Sequence, residues 1–488
     1  MITDAEFTRW LRADGVHRCA LVEVDTDTPR FLSVFPYATL PTDPVPNMLH
    51  SAVVEGGVAF NESLSLDGNP SISYGDIELN NHDGSLDAWL DDVWVNRAVR
   101  VYLGDVSWSR QDFRLIMTGV CADIGARNPG TLNIKLREKL QRLNTPVTET
   151  TLGGTTANKD RLIPVLLGEA HNIEPLLTNP ATHEYQFHDG AAERAIEVRD
   201  TGAPVGKVDV LTSGKVRLTQ SPTSSGQVTI SAQGDKAGGI YRNTVAKLIE
   251  RLVTGYGKAS ERFTAADIDA ANFAAFDAAH PQPVGLYLRD RANVIQCCQE
   301  LAASVGAQMV VSRLGLLRLQ KVSLPPAGTP TPIRETDYEY GSLQISSRTA
   351  VQAAVKIGYA RNWTLQQNTV EGIPAEHKSL YAQEYLTATA KDQAVADAYR
   401  LMTEPEQENT LLLRGVDAQA EANRRLALWR VPRTVFSVDC YAGMLTLSLG
   451  QAVTLYGNRY GLQAGKLGLV IGLRSDWVSG RMTVEVLV

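Results

Sequence analysis

From residue 1 to about 145, apolar positions alternate with polar ones. Residues 99–103 (VRVYL) alternate strictly, and 113–124 and 131–136 (TLNIKL) continue the pattern. Successive side chains of a strand point to opposite faces, so period two predicts strands with one buried side. Asn128-Pro129-Gly130 supplies turn chemistry between the last two. The segment 137–144 (REKLQRLN) predicts a short helix that closes this region, and 146–160 (PVTETTLGGTTANKD) reads as a loop or linker. From 161 to about 235 short strands recur between turns: IPVLLG, EYQFHDG, AIEVRDTG and KVDVLTSGKVRLTQ, the last a hairpin about Ser213-Gly214.

Between 240 and 305 the period changes. Val245, Leu248, Ile249 and Leu252 stand at helical spacing, as do Val294, Cys298, Leu301 and Val305. A hairpin, AQMVVSRLGLLRLQKV, turns at Leu314-Gly315, and together these predict a small α/β module. The proline-rich 324–333 (LPPAGTPTPI) reads as a linker. Beyond it the pattern predicts a strand near 350–360, a helix near 388–402 and a helix near 416–430 that ends before Pro432. The chain closes in strands: TVFSVDC, MLTLSL, QAVTLYG, LGLVIGL and MTVEVLV. The hairpins 119–136 and 468–487 share one layout of glycine, strand, glycine-containing turn and alternating strand. Shared hairpin chemistry can produce that; so can related β-barrels at the two ends of the chain.

The stretch YGDIELNNHDGSLDAWL (74–90) crowds Asp, Glu, Asn and His into 76–83. Alternation of Ile72 and Tyr74 changes parity at Gly75 before Ile77 and Leu79, which predicts a β-bulge. Asn80 to Gly84 have turn chemistry. Leu86, Trp89, Leu90 and Val93 predict a short amphipathic helix capped by Asp83 or Ser85. A calcium loop is excluded by spacing, because Leu79 stands where the first acidic ligand belongs.

Composition narrows the function classes. With 488 residues the chain is expected to form two to four domains, and its charged fraction of 21% is ordinary for a globular protein. No stretch approaches the ~20 apolar residues of a membrane span. The N-terminus MITDAEFTRWLRADG has no apolar core of a signal peptide. A net charge of −7 and the lack of a basic run beyond Arg424-Arg425 argue against stable nucleic-acid binding. Five cysteines, at 19, 121, 297, 298 and 440, argue against a disulfide framework and suit cytosolic folding.

The chemical candidates are sparse. His183 and His188 are five apart in HEYQFH, whereas a zinc protease helix needs four. Cys297-Cys298 reads as buried apolar cysteine, since adjacent helical side chains diverge. Gly255-Tyr256-Gly257-Lys258 lacks the upstream glycine and the following Ser/Thr of a phosphate loop. Asp91-Asp92 and Asp267/Asp269 read as solvated faces. No catalytic residue, cofactor or metal ligand is assigned.

Three stretches carry a resemblance: SISYGDIELNNHDGSLDAWLDDVWVNRAVRVYLGD (71–105), LIPVLLGEAHNIEPLLTNPATHEYQFHDG (162–190) and ANRRLALWRVPRTVFSVDCYAGMLTLSLGQAVTLYGNRYGLQAGKLGLVIGL (422–473). In this order they resemble baseplate hub, or tail hub, proteins of long-tailed bacteriophages. The resemblance covers about a quarter of the chain. It implies an α+β, mostly β fold with two tail-tube-like β-barrels, a β-rich insertion and a small α/β module. The expected boundaries are 1–145 (first barrel), 146–235 (β-rich), 236–323 (α/β) and 324–488 (second barrel with helices).

The function implied is structural: a homotrimeric hub of the virion tail tip that adapts a hexameric tail tube to a threefold tip, nucleates tail assembly and lines the channel for genome ejection. Its implied partners are the tail tube, distal tail protein, tape-measure protein and a central fibre or receptor-binding protein. DNA would pass only in transit, and assembly would occur in the host cytoplasm. Two other classes are weighed. A tail-associated hydrolase would use the carboxylates of 76–92 (Asp76, Glu78, Asp83) and His183/His188. A carbohydrate- or receptor-binding protein would use Trp89, Trp94, Trp108 or Trp477.

Overall fold

The computed structural model describes residues 2–56, 59–66, 71–223, 227–401 and 404–488. Strand makes up 37% and helix 20% of it, which places the protein in the α+β class with β dominant. The chain folds into two compact units. One comprises residues 1–141, 310–350 and 432–488; the other comprises 142–309 and 351–431. Both chain ends therefore belong to the same unit.

The first unit opens with a helix that strand periodicity did not reveal, α1 (Asp4–Leu11), buried through Phe7 and Leu11. Thr3 caps it: its hydroxyl accepts the Glu6 N–H at 3.3 Å while the Glu6 carboxylate accepts the Thr3 N–H at 2.7 Å. Strands follow: β1 (Arg18–Val24), β2 (Arg30–Ser33), β3 (Tyr37–Ala38), β4 (Leu49–Ala52), β5 (Val54–Glu55), β6 (Ala59–Ser63), β7 (Ser71–Tyr74), β8 (Ile77–Asn80), β9 (Ala98–Asp105), β10 (Arg114–Asn128) and β11 (Thr131–Arg137). Nine of them form one sheet in the order β3-β4-β2-β1-β9-β10-β11-β8-β5.

That order has a geometric consequence. β4 and β5 sit at or beside opposite ends of the sheet, yet only Val53 separates them in the chain. β4 pairs in parallel with β2 (Leu32↔Ser51), and β5 pairs antiparallel with β8 (Val54↔Leu79). Consecutive Cα atoms are about 3.8 Å apart, so the two ends of the sheet must meet. The sheet is rolled, with Leu21, Leu79, Val99, Val101 and Leu103 all fully buried. Rolling brings the two sides of the sheet together at Val53 and leaves β3 and β5 as its end strands.

β6 and β7 leave this sheet. β6 instead pairs with the C-terminal strand Lys466–Asp476, from Gly472↔Ser63 to Asp476↔Ala59, and β7 pairs with β6. The parity change at Gly75 is therefore not a bulge within one strand. It marks the passage from β7, in one sheet, to β8, in another. Gly75 donates its N–H to the Ala59 carbonyl at 3.3 Å, and a Cβ there would lie 3.1 Å from that oxygen.

The C-terminal sheet rolls by the same device. Its order is Thr331–Ile333, Ala452–Leu455, Lys466–Asp476, Arg481–Leu487, Thr434–Tyr441, Gln344–Arg348. Both end strands come from the single segment 331–348, whose middle also touches the far side: Tyr338 bridges Cys440, and Glu339 donates its N–H to the Asp439 carbonyl at 2.8 Å. The Tyr338 hydroxyl reaches back to the Tyr456 carbonyl at 3.1 Å. The expected linker 324–333 thus ends in a strand. MLTLSL, expected as a strand, begins with a 3-10 turn (Ala442–Met444) and continues in turns. The N–H groups of Leu445 and Leu447 bond to the carbonyls of Ala442 and Met444, taking backbone groups that a sheet neighbour would need. Leu445, Leu447 and Leu449 are nonetheless buried.

The second unit contains a five-stranded sheet (Ala203–Pro204, Ala192–Asp200, Val228–Asp235, Val165–Ile173, Gly285–Leu288) and a four-stranded one (Leu176–Asn179, Glu184–Gln186, Lys215–Leu218, Val208–Leu211). An apolar core that includes Leu166, Phe187, Val216 and Ile230 joins them. The expected hairpin turns at Ser213 and Gly214, both in the left-handed region. Helices Val245–Gly255 and Val294–Ala303 follow the expected periodicity, with Leu248, Leu252, Cys298 and Leu301 wholly buried. The helix expected over 388–402 begins only at Gln393 and ends at Tyr399, with Asp392 accepting the Val395 N–H at 3.2 Å. Before it, Leu386–Lys391 is a strand, because Thr387-Ala388-Thr389-Ala390 alternate and only the alanines are buried. The segment REKLQRLN forms a 3-10 helix, Lys139–Leu143.

Candidate functional site

The polar cluster 76–83 is a turn built around one buried side chain. Asn81 is 2% exposed. Its Nδ2 donates to Asp87 Oδ1 at 2.7 Å, its Oδ1 accepts the Leu86 N–H at 2.8 Å, and its own N–H donates to the Gly130 carbonyl at 2.8 Å. Asp83 accepts the Ser85 N–H at 3.0 Å, a bond that holds its carboxyl below the ordinary range. The expected amphipathic helix is a 3-10 helix, Asp87–Asp91, with no side-chain cap. At about three residues per turn the 3.6-residue spacing no longer aligns one face, and Leu90 and Val93 are 51% and 47% exposed. Trp94 is the buried anchor, donating its indole N–H to the Trp89 carbonyl at 2.7 Å.

His183 and His188 are not brought together. His183 lies at positive φ, with Nε2 3.1 Å from the Ser221 hydroxyl on the exposed side. His188 is fully buried. Its Nδ1 accepts the Leu166 N–H at 3.1 Å, which places its proton on Nε2, and Nε2 faces Asp235 Oδ1 at 3.7 Å. Arg251 donates to the Asp235 carboxylate from Nε at 2.8 Å and Nη2 at 3.2 Å, and the Tyr256 hydroxyl lies 3.3 Å from Oδ1. Burial alone would raise the Asp235 carboxyl, but the facing His188 ring and the bonds from Arg251 pull it well below the ordinary range. Burial raises the Tyr256 phenol.

This network ties the strand Val228–Asp235 to the helix Val245–Gly255. The sequence pattern did not single out Asp235 or Arg251, and Tyr256 entered it only within the turn Gly255-Tyr256-Gly257-Lys258. One signal was available: Arg251 stands next to Leu252 and Val253, two of the buried residues of the helix Val245–Gly255, and a guanidinium at the border of that apolar face calls for a partner. With His188 enclosed and both ring nitrogens facing protein groups, the cluster is built to hold structure.

The other candidates resolve as follows. Asp92 pairs with Arg30, Nε at 3.2 Å, and that guanidinium lies 4.6 Å from the Trp89 ring centre. Asp267 and Asp269 are helix caps rather than merely solvated: Asp267 accepts the Thr264 N–H at 2.7 Å and Asp269 the Asn272 N–H at 3.0 Å. Gly257, at positive φ, turns the chain after the helix Val245–Gly255. All five cysteines are free and buried, and burial pushes the Cys121 thiol to about 11 and the Cys297 and Cys440 thiols to about 12. Among the described residues, no group of three His, Cys, Asp or Glu side chains is placed to hold a metal ion, and no helix is long and apolar enough to cross a membrane.

No protein-family model matches the chain, and no curated protein matches it. Among solved structures it is similar to the 43 kDa tail protein of prophage MuSo2 from Shewanella oneidensis, at 11% identity and TM-score 0.41 over 96% of this chain and 98% of that one. It is similar to a tail protein from Neisseria meningitidis MC58, at 9% identity and TM-score 0.41 over 96% of each chain. A third is prophage tail protein gp18 from Listeria monocytogenes EGD-e, at 9% identity and TM-score 0.35 over 96% of this chain and 94% of that one.

Proposed function

We propose that this chain is a structural protein of a bacteriophage tail and, more finely, a trimeric hub at the tail tip. The observation that supports it most is the pair of rolled sheets within one unit, the first stitched to the second by β6 and β7. A subunit with two such sheets can place six of them around a threefold axis. That arrangement matches a hexameric tube on one side and a threefold tip on the other. The three ordered stretches 71–105, 162–190 and 422–473 support the same reading, and the first and third lie within or run into the rolled sheets.

Neighbours are the tail tube, distal tail protein, tape-measure protein and a central fibre or receptor-binding protein. DNA passes through during ejection and is not held. The net charge of −7 suits that passage, since fixed negative charge repels phosphates.

Light scattering on the purified chain should give three times its 53.1 kDa, and images of the assembled particle should show this density as a threefold ring at the tail tip. A protein that stays monomeric at high concentration, and density placed elsewhere in the particle, would overturn the reading.

A further inference from the structure

A cavity of about 450 Å³ lies in the first unit, between the end of α1 and the loops that border the strands Thr434–Tyr441 and Arg481–Leu487. Three arginines line it: Arg12, Arg18 and Arg481. Arg481 is already paired with Glu339. Arg12 and Arg18 differ, because among the described residues neither has a carboxylate within ion-pair distance.

Arg18 is half-buried. Its Nη2 donates to the Leu11 carbonyl at 3.1 Å, while its Nε is buried without a partner. Burial alone draws its guanidinium below the ordinary value. Two glycines make room for the pair. A Cβ on Gly480 would lie 2.8 Å from Arg18 Nη1, and one on Gly443 would lie 2.8 Å from Arg12 Cγ. The acids of the same wall are occupied or outlying: Asp337 accepts the Arg334 N–H at 2.9 Å, and Asp14 is exposed.

A cation withdrawn from water without a counter-charge is costly. A guanidinium presents planar N–H donors that match the oxygens of a phosphate or carboxylate. We propose that this cavity is an oxyanion-binding site in which Arg12 and Arg18 grip a phosphate group or a carboxylate.

The test uses the full chain. Inorganic phosphate and succinate are titrated separately by calorimetry and thermal shift, with ionic strength held constant by sodium chloride. Saturable binding of at least one is expected, with a concentration-dependent rise in melting temperature. Phosphate alone assigns a phosphate-type ligand, and succinate alone a carboxylate. Arg12→Gln, at an exposed position, should fold normally and weaken binding at least tenfold. Arg18→Gln should do the same, and circular dichroism checks its fold. Absence of saturable binding by either anion, or unchanged affinity in Arg12→Gln, overturns the proposal.

Discussion

The guanidinium of Arg313 lies 5.2 Å from the centre of the Trp477 ring. Its Nη1 also donates to the Leu447 carbonyl at 2.8 Å and stands 3.9 Å from the carboxylate of Glu62, on β6. Glu62 and Trp477 are 7% and 2% exposed. The hairpin that carries the N-terminal chain into the C-terminal sheet is thus fastened by a buried charge pair against an aromatic wall.

Removing one partner of such a pair leaves an uncompensated charge. Glu62→Ala is expected to cost about 3–5 kcal/mol, and adding Arg313→Met should recover part of that loss. A double-mutant cycle by urea unfolding measures the coupling. Costs that add within about 0.5 kcal/mol would show that the two residues act independently. The pH dependence has a defined sign. Burial raises the Glu62 carboxyl despite the opposing charge of Arg313. The folded state therefore keeps that proton to higher pH than the unfolded chain does. Stability from this group is greatest below the ordinary carboxylate range and falls as pH rises through the raised value. Glu62→Gln should flatten that decline.

Asp235 has the opposite sign. His188 and Arg251 hold its carboxyl well below the ordinary range, burial notwithstanding. Its contribution is fully present above the unfolded value and is lost as pH falls through the depressed folded value. Asp235→Asn strips Arg251 of its buried carboxylate and should cost about 3–5 kcal/mol at pH 7. The difference between variant and parent should shrink on acidification toward pH 2, read by denaturant melts across that range. A pH-independent difference would contradict the assignment.

The polar turn separates structural from dispensable residues. Asn81→Ala removes two side-chain bonds at a site 2% exposed. It should cost about 2–3 kcal/mol, because buried partners lose their bonds. Asp83→Asn, at an exposed position, should change stability by about 0.5 kcal/mol or less. Equal effects in thermal melts would refute the division.

Gly168 and Gly285 face each other in register across two strands of the second unit. Gly168 has φ +67°, and a Cβ on it would lie 2.1 Å from the Val284 carbonyl oxygen. A Cβ on Gly285 would lie 1.6 Å from the Glu169 carbonyl oxygen. Neither clash can be relieved by a side-chain rotation, so Ala at either position should cost about 3 kcal/mol or more. Gly153, also at positive φ but with open space around it, should lose only about 1 kcal/mol on the same change. Calorimetric melting of the three variants ranks them.

Local pattern determined much of this protein. Period two over 99–103 and 131–136, and the turns at Asn128-Pro129-Gly130 and Ser213-Gly214, specify hairpins because each needs only neighbouring residues. The helices that carry Leu248 and Leu301 were legible for the same reason: one apolar stripe at period 3.6 has one stable use. Tertiary structure decided what pairing at long range decides. Only the fold shows that the sheet ends meet across Val53, that Gly75 marks a change of sheet and that β6 belongs with the strand Lys466–Asp476. It also decided that Leu445, Leu447 and Leu449 are buried without forming a strand. His188 found Asp235 and Arg251 through strand register and helix docking, and residues 47 and 63 positions away in the chain leave no trace of that meeting in a local pattern.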